Sequence, residues 1–317
     1  MPPLYLIKQL RPYTTGAGGA SISPNGQYIA IAYPSEGKVV IYRTSDWSKV
    51  TEINEPVQFG VGFSPNGSWL GIACGSSGMK IYSVPSFAHL QTINYGLIDM
   101  RNIPWSRDST WLLLLCSDNY LRLISTSDWS VLSSTNTALS DNPLSLSGKY
   151  HADIANAKDA VIYATDDEID LHTLSDSSFA GTGLQESQTG AIGGLLFPTK
   201  EQGHVALRAY GTGQYDILDY DTLNTIKSWN FAKDHVNMAI DYETESYIMI
   251  ALSGETYARL ITYDTWAEEQ LSTGGGNVRG LALSPNNKLW VVTDDQGYIR
   301  VYTTKIATQI TLEITPL

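Results

Sequence analysis

A strand-rich unit stated seven times along 317 residues predicts an all-β fold. The unit reads most fully from Phe63 to Leu90, where an apolar residue precedes a tight turn, Ser64-Pro65-Asn66-Gly67, and strands follow between small Ser/Gly turns. Aligned on the residue after each unit's first strand, the anchors are Ser23, Ser64, Ser106, Ala155, Pro198, Asp241 and Ser284, spaced by 41, 42, 49, 43, 43 and 43 residues. A period of about 40–45 residues with strand-like content is the signature of propeller blades of four strands each. The prediction is therefore one domain over residues 1–317, a seven-bladed β-propeller with four antiparallel strands per blade.

The columns of the alignment justify the strands one by one. One residue before each anchor stand Ile22, Phe63, Trp105, Ile154, Phe197, Ile240 and Leu283; three before stand Ala20, Val61, Ile103, Ala152, Leu195, Met238 and Leu281. Four before stand Gly19, Gly60, Asn102, His151, Gly194, Asn237 and Gly280. Apolar residues at every second place mark a strand with one packed face and one small or polar face. Glycine on an innermost strand lets backbones approach the axis.

The second strand is apolar on both faces, as in Leu70-Gly71-Ile72-Ala73 and Leu112-Leu113-Leu114-Leu115, which suits a strand covered by neighbours on both sides. Cys74 and Cys116 each lie ten residues after their anchors and read as small core residues. The third strand ends aliphatic-Tyr, as in Ile41-Tyr42, Ile81-Tyr82 and Val301-Tyr302, with Leu171-His172 a variant. A turn such as Thr44-Ser45-Asp46-Trp47 or Thr126-Ser127-Asp128-Trp129 leads to the fourth strand. Asp and Ser there bond their own backbone and suit a hairpin.

With these units on the page, the chain resembles the WD-repeat and YVTN-type β-propellers over nearly its whole length. The resemblance is architectural, because the terminal Trp-Asp pair and the Gly-His pair of WD repeats are absent from their places. Similar families include scaffolds, surface-layer proteins, enzymes and virion parts, so the resemblance implies the fold and leaves the subfamily open. In similar propellers the N-terminal strand completes the final blade. Here two segments compete for that role, residues 4–10 (LYLIKQL) and residues 306–314 (IATQITLEI).

Composition narrows the partners. Lys and Arg number 20 against 32 Asp and Glu, a net charge of −12, which argues against nucleic acid and leaves basic proteins or cations open. No window carries about 18 uninterrupted apolar residues, so no membrane insertion is expected. The start, MPPLYLIKQLRPY, shows no leader-cleavage pattern, and virion or cytoplasm are the compartments expected. Two cysteines do not make a disulfide framework.

Long connections gather on one face: Thr137–Ser147, Gly181–Ala191 and the Gly-rich Ser272–Asn277. The same face collects acid, with Glu36, Asp118, Asp166, Asp167, Glu168, Glu255, Asp294 and Asp295 in turns and Asp141 and Glu186 in loops. This face is the predicted seat for a partner protein, a basic surface or a cation. Asp166 to Asp170 lacks the Gly and closing Glu of a calcium loop. Solvated turn chemistry is the alternative reading of the acids, since Asp favours turns.

His151 and Asp153 share the inner-strand face, with Asn102 and Asn237 in the same column as His151; they are the candidates for a channel ligand. None of the five histidines forms a ligand-spaced pair, and no nucleophile elbow, HExxH, phosphate loop or CxxC is present. Trp47, Trp129 and Trp266 recur at one turn position and read as packing. No catalytic residue, metal or cofactor is expected. The sequence points to a non-enzymatic interaction or structural module of a viral (phage) particle or other extracellular assembly, binding through its long-loop acidic face; a sugar-binding or catalytic channel and an intracellular WD-type scaffold are the alternatives.

Overall fold

A computed structural model of the chain describes residues 4–58, 60–96, 103–106, 108–116, 118, 120–136, 151–155, 160–164, 168–175, 178–187, 192–196, 204–209, 214–219, 224–233, 235–240, 247–262, 265–284 and 289–303. The fold is all-β, and its strands form successive antiparallel sheets in chain order. After β1 (Tyr5–Leu10), the first sheet is β2 (Ala20–Ile22), β3 (Tyr28–Tyr33), β4 (Lys38–Arg43) and β5 (Lys49–Asn54). The second is β6 (Val61–Phe63), β7 (Trp69–Ala73), β8 (Met79–Ser83) and β9 (His89–Ile93). The third is β10 (Trp111–Leu115), β11 (Tyr120–Ser125) and β12 (Val131–Asn136).

The fourth sheet is β13 (His151–Ala155), β14 (Ala160–Ala164), β15 (Glu168–Ser175) and β16 (Ser178–Ser187). The fifth is β17 (Ile192–Leu196), β18 (His204–Ala209), β19 (Gln214–Asp219) and β20 (Thr225–Asn230). The sixth is β21 (His235–Ile240), β22 (Tyr247–Leu252), β23 (Tyr257–Thr262) and β24 (Glu268–Ser272). The last is β25 (Val278–Leu283), β26 (Trp290–Asp294) and β27 (Ile299–Thr303), with β1 as its outer strand.

Two expectations need correction. The third sheet has three strands among the described residues: Trp105 makes a single bridge to Leu112 in place of a first strand. Pro104 has no N–H for a ladder, although its carbonyl accepts from Leu113 N–H at 3.0 Å. Gly181 to Ser187 is strand, where a loop was expected; β15 is eight residues long, so its far half offers Glu168, Ile169 and Asp170 as partners for Ser187, Glu186 and Gln185. Glu186 is therefore a strand residue. Of the two segments suited to the last sheet, β1 holds the place beside β27, and residues 306–314 lie outside the described residues. Thr137–Ser147 lies outside them too.

The core lies between sheets. Ala30, Ala32, Val39 and Ile41 of the first sheet pack on Leu70, Ile72 and Tyr82 of the second. Met79 and Ile81 of the second meet Leu112, Leu114 and Ile124 of the third. Met249, Leu260 and Leu271 of the sixth meet Leu281, Trp290 and Val292 of the last. Ile31, Val40 and Tyr42 of the first meet Val291, Ile299 and Val301 of the last. Burying one such side chain contributes roughly 1.5–3 kcal/mol. First strands also neighbour one another: β2 lies beside β6 and β25, β13 beside β17, and β21 beside both β17 and β25.

The turns explain the anchor serines. Ser64 Oγ accepts Trp69 N–H at 3.0 Å and donates to Asn66 Oδ1 at 2.8 Å, while Asn66 Oδ1 accepts Ser68 N–H at 2.9 Å. Ser23 with Asn25 and Ser106 with Asp108 repeat the arrangement, at 2.8 and 2.7 Å. Ser284 Oγ accepts Leu289 N–H at 2.9 Å. All four hydroxyls are buried, so each must find partners within the turn. Between third and fourth strands, Trp47, Phe87, Trp129 and Trp266 take the left-handed backbone at φ 60°, 52°, 61° and 54°. Neighbouring polar atoms hold that backbone: Asp46 Oδ1 accepts Ser48 N–H at 3.0 Å and Asp128 Oδ1 accepts Ser130 N–H at 3.1 Å. The ring then packs as expected, Trp129 against Trp69 and Trp105, and Trp266 against Trp229.

Replacing Ser64 with Ala strands Trp69 N–H and is expected to cost about 1–3 kcal/mol in urea unfolding. Ser68→Ala, on the same turn and solvent-exposed, is expected to stay within about 0.5 kcal/mol. Equal effects from the two substitutions would show that the serine network does not hold the turn.

Candidate functional site

Glu36, Asp118, Glu255, Asp294 and Asp295 lie at the turns between second and third strands, and the carboxylate of each is already engaged. Asp118 follows β10 and receives Arg122 of β11 through both guanidinium nitrogens, Nη1 at 2.8 Å. Arg122 lies over the rings of Tyr95 and Tyr120, at 4.5 and 5.2 Å. The hydrogen bonds from Arg122 hold the Asp118 carboxyl below its ordinary range, and Asp118 raises the guanidinium in turn.

The sixth sheet repeats the pattern more deeply. Glu255, 5% exposed, accepts Arg259 Nη2 at 2.9 Å, Tyr257 hydroxyl at 3.0 Å and Lys233 Nζ at 3.3 Å. Arg259 also pairs with Glu268 and stacks over Phe231 at 4.4 Å and Tyr257 at 5.1 Å. Burial pulls the Arg259 pKa down, and hydrogen bonding to Glu255 with the charge of Glu268 more than offsets it, so the net shift is upward. Burial and Glu255 raise the Tyr257 hydroxyl.

In the last sheet Asp294 has no exposed surface. Its Oδ2 accepts Arg300 Nη1 at 2.6 Å, and its Oδ1 accepts Gln296 and Tyr298 N–H at 3.0 and 2.9 Å. Its carbonyl accepts Ala17 N–H at 2.9 Å, and Thr293 Oγ1 donates to Gly18 carbonyl at 2.6 Å. Asp295 binds Asn277 through backbone N–H at 2.9 Å and side-chain Nδ2 at 2.7 Å. The Gly-rich loop is thereby pressed onto this turn, and a Cβ at Gly276 would stand 2.7 Å from Asp294 Cγ. Glu36, in a short 3-10 turn after β3, accepts Thr15 Oγ1 at 2.9 Å.

The spacing Asp118-x-Tyr120-x-Arg122 recurs as Glu255-x-Tyr257-x-Arg259, and Tyr298-x-Arg300 follows Asp294. The acids alone had been singled out; the tyrosine and arginine two and four places on, or four and six after Asp294, were the signal that would have paired them. The structure therefore brings Asp118, Glu255 and Asp294 together with internal cations.

The remaining candidates divide. His151 and Asp153 lie two residues apart on β13, so they share a strand face, and Asn237 lies on β21 next to a register shift between His235 and Asn237. Glu168 opens β15. Asn102, Asp141, Asp166 and Asp167 lie outside the described residues. Among the described residues, no group of three His, Cys, Asp or Glu is placed to hold a metal ion, and no helix is long and apolar enough to cross a membrane. Cys74 and Cys116 are free and buried, and burial pushes their thiols up to about 12 and about 11. No protein-family model matches the chain, and no curated protein does.

Arg300→Met leaves Asp294 buried and uncompensated, and is expected to cost about 3–5 kcal/mol in denaturant unfolding; a loss below about 1 kcal/mol would mean that the pair behaves as an exposed one. A thiol reagent at pH 8 is expected to label neither cysteine in the native protein and both in guanidinium, because the thiolate is the reactive form. Native labelling at either thiol would contradict its burial.

Proposed function

We propose that the chain is a seven-bladed β-propeller acting as a non-enzymatic interaction or structural module within a larger assembly. The propeller reading rests on the order of the sheets. The first six are chain-order meanders, a core is shared between the first and second, second and third, fifth and sixth, and sixth and last sheets, and Ile31, Val40 and Tyr42 of the first pack on Val291 and Val301 of the last. N-terminal β1 in the last sheet ties the first segment of the chain to its end.

The observation that carries the functional reading is the acid–Arg–Tyr repeat. Its charges are spent inside the protein, which suits a rigid platform better than a reactive centre, where a titratable group is held ready for chemistry. The platform also presents tyrosine beside arginine, with Tyr95 and Tyr120 exposed at the rim around Arg122. Tyr and Arg are the side chains enriched at binding hot spots. The net charge of −12 favours a partner with a basic surface.

The test is the size and composition of the native particle. Isolated from its source, the protein is expected to travel with other chains at a mass well above 34.7 kDa. Tyr95→Ala with Tyr120→Ala is expected to loosen that association about tenfold, with no more than about 1 kcal/mol lost in unfolding from the Arg122 stacking. Recovery as a free monomer of 34.7 kDa would sink the assembly reading.

A further inference from the structure

The last sheet holds a guanidinium on a tyrosine ring, and the third sheet repeats that ring without the occupant. Arg11 lies over Tyr298 at 4.5 Å, donates from Nε to Gln296 carbonyl at 2.9 Å and from Nη1 to Tyr298 hydroxyl at 3.3 Å. Arg300 lies over the same ring at 4.7 Å. Tyr298 therefore carries two guanidiniums, one from its own strand and one brought by the N-terminal segment.

Backbone pairing makes Tyr120 the counterpart of Tyr298. Arg300 pairs with Val292 and Arg122 with Leu114, each arginine two residues beyond its tyrosine. Both turns close alike: Asp294 N–H donates to Tyr298 carbonyl at 3.1 Å, and Cys116 N–H to Tyr120 carbonyl at 3.2 Å. Gln296 and Asp118 stand two residues before the tyrosines, so the Asp118 carbonyl takes the place of the Gln296 carbonyl. Arg11 follows Leu10, which pairs with Ile299, and so comes level with Tyr298; Asn136 is level with Tyr120. An asparagine has no guanidinium to lay on the ring. Among the described residues, Arg122 is the cation over Tyr120, at 5.2 Å, and Tyr120 is 36% exposed.

We infer that Tyr120 is the seat for an arginine side chain of a partner protein, which stacks on the ring as Arg11 does on Tyr298 and donates to the Asp118 carbonyl. A guanidinium suits this seat better than an ammonium, because its planar fork stacks and donates at once. Arg122 already binds the Asp118 carboxylate, so the ring and the carbonyl are what remain to hold the newcomer. The net charge of −12 draws a basic partner toward them. The inference rests on the reading of the chain as an interaction module and names the chemistry that such a module recognises.

Calorimetric titration of the purified chain with a short peptide alternating glycine and arginine tests the seat apart from any native partner. At about 0.15 M salt, which screens distant charges, Tyr120→Leu is expected to weaken binding about threefold. Tyr120→Phe, which keeps the ring, is expected to weaken it less. Asn136→Arg sets an arginine of the chain itself level with Tyr120, fills the seat from within and is expected to match Tyr120→Leu. Asn54→Arg adds the same charge at the same place on β5, opposite Lys38, and is expected to leave binding nearly unchanged. The lysine counterpart of the peptide is expected to bind more weakly and to ignore Tyr120→Leu. A native protein recovered as a free monomer that still shows this pattern would contradict the assembly and leave the seat standing. No measurable binding to the wild type, equal binding to wild type and Tyr120→Leu, or equal losses in Asn136→Arg and Asn54→Arg would overturn the inference.

Discussion

The structure depends on sheets that are apolar on both faces. Strands such as Tyr28–Tyr33 and Trp290–Asp294 bury nearly every side chain they carry, whichever way it points. A single antiparallel meander of this kind would expose one greasy face to water on each side. Only another sheet can cover it, and the covering sheet has the same need on its far side. The mutual debt runs from the first sheet to the second and third, and from the sixth to the last and back to the first. Edge strands escape it: β5, β9 and β20 carry mixed faces, and their polar side chains meet solvent.

Much of this was legible because its causes are local. A buried serine two residues ahead of Asn25, Asn66 or Asp108 writes its turn in six residues. Alternation at Val61 and Phe63 writes a strand in three. What could not be read depended on partners distant in sequence. The choice between two candidate outer strands for β27 turns on a pairing across almost the whole chain, Tyr5 with Thr303. The ten-residue β16 was hidden because its pairing is set by the length of β15. The single bridge at Trp105, where the other described sheets have a first strand, had a local sign, Pro104, and repetition of the other columns obscured it.

The candidate surface teaches the same lesson about charge. A list of acids in turns suggests an empty seat for a cation. Arginines four residues on, or six in the last sheet, reverse that picture, since Arg122, Arg259 and Arg300 fill the seats from within. Stacking on Tyr95, Tyr120, Phe231, Tyr257 and Tyr298 fixes each guanidinium in place. His151 and Asp153 remain a matter of placement on one strand, where backbone pairing alone speaks for them.

The register of β1 on β27 has a mechanical consequence. Tyr5 faces Thr303 and Leu10 faces Ile299, so the first residue of one strand lies at the same end of the ladder as the last residue of the other. Tension applied between those two ends loads the hydrogen bonds one after another, in the manner of a zipper. Were the strands parallel, the same tension would shear all of them together. A pull between Tyr5 and Thr303 therefore opens the seam of β1 and β27 first, while the sheets behind it, joined through their faces, carry no load until that seam has parted.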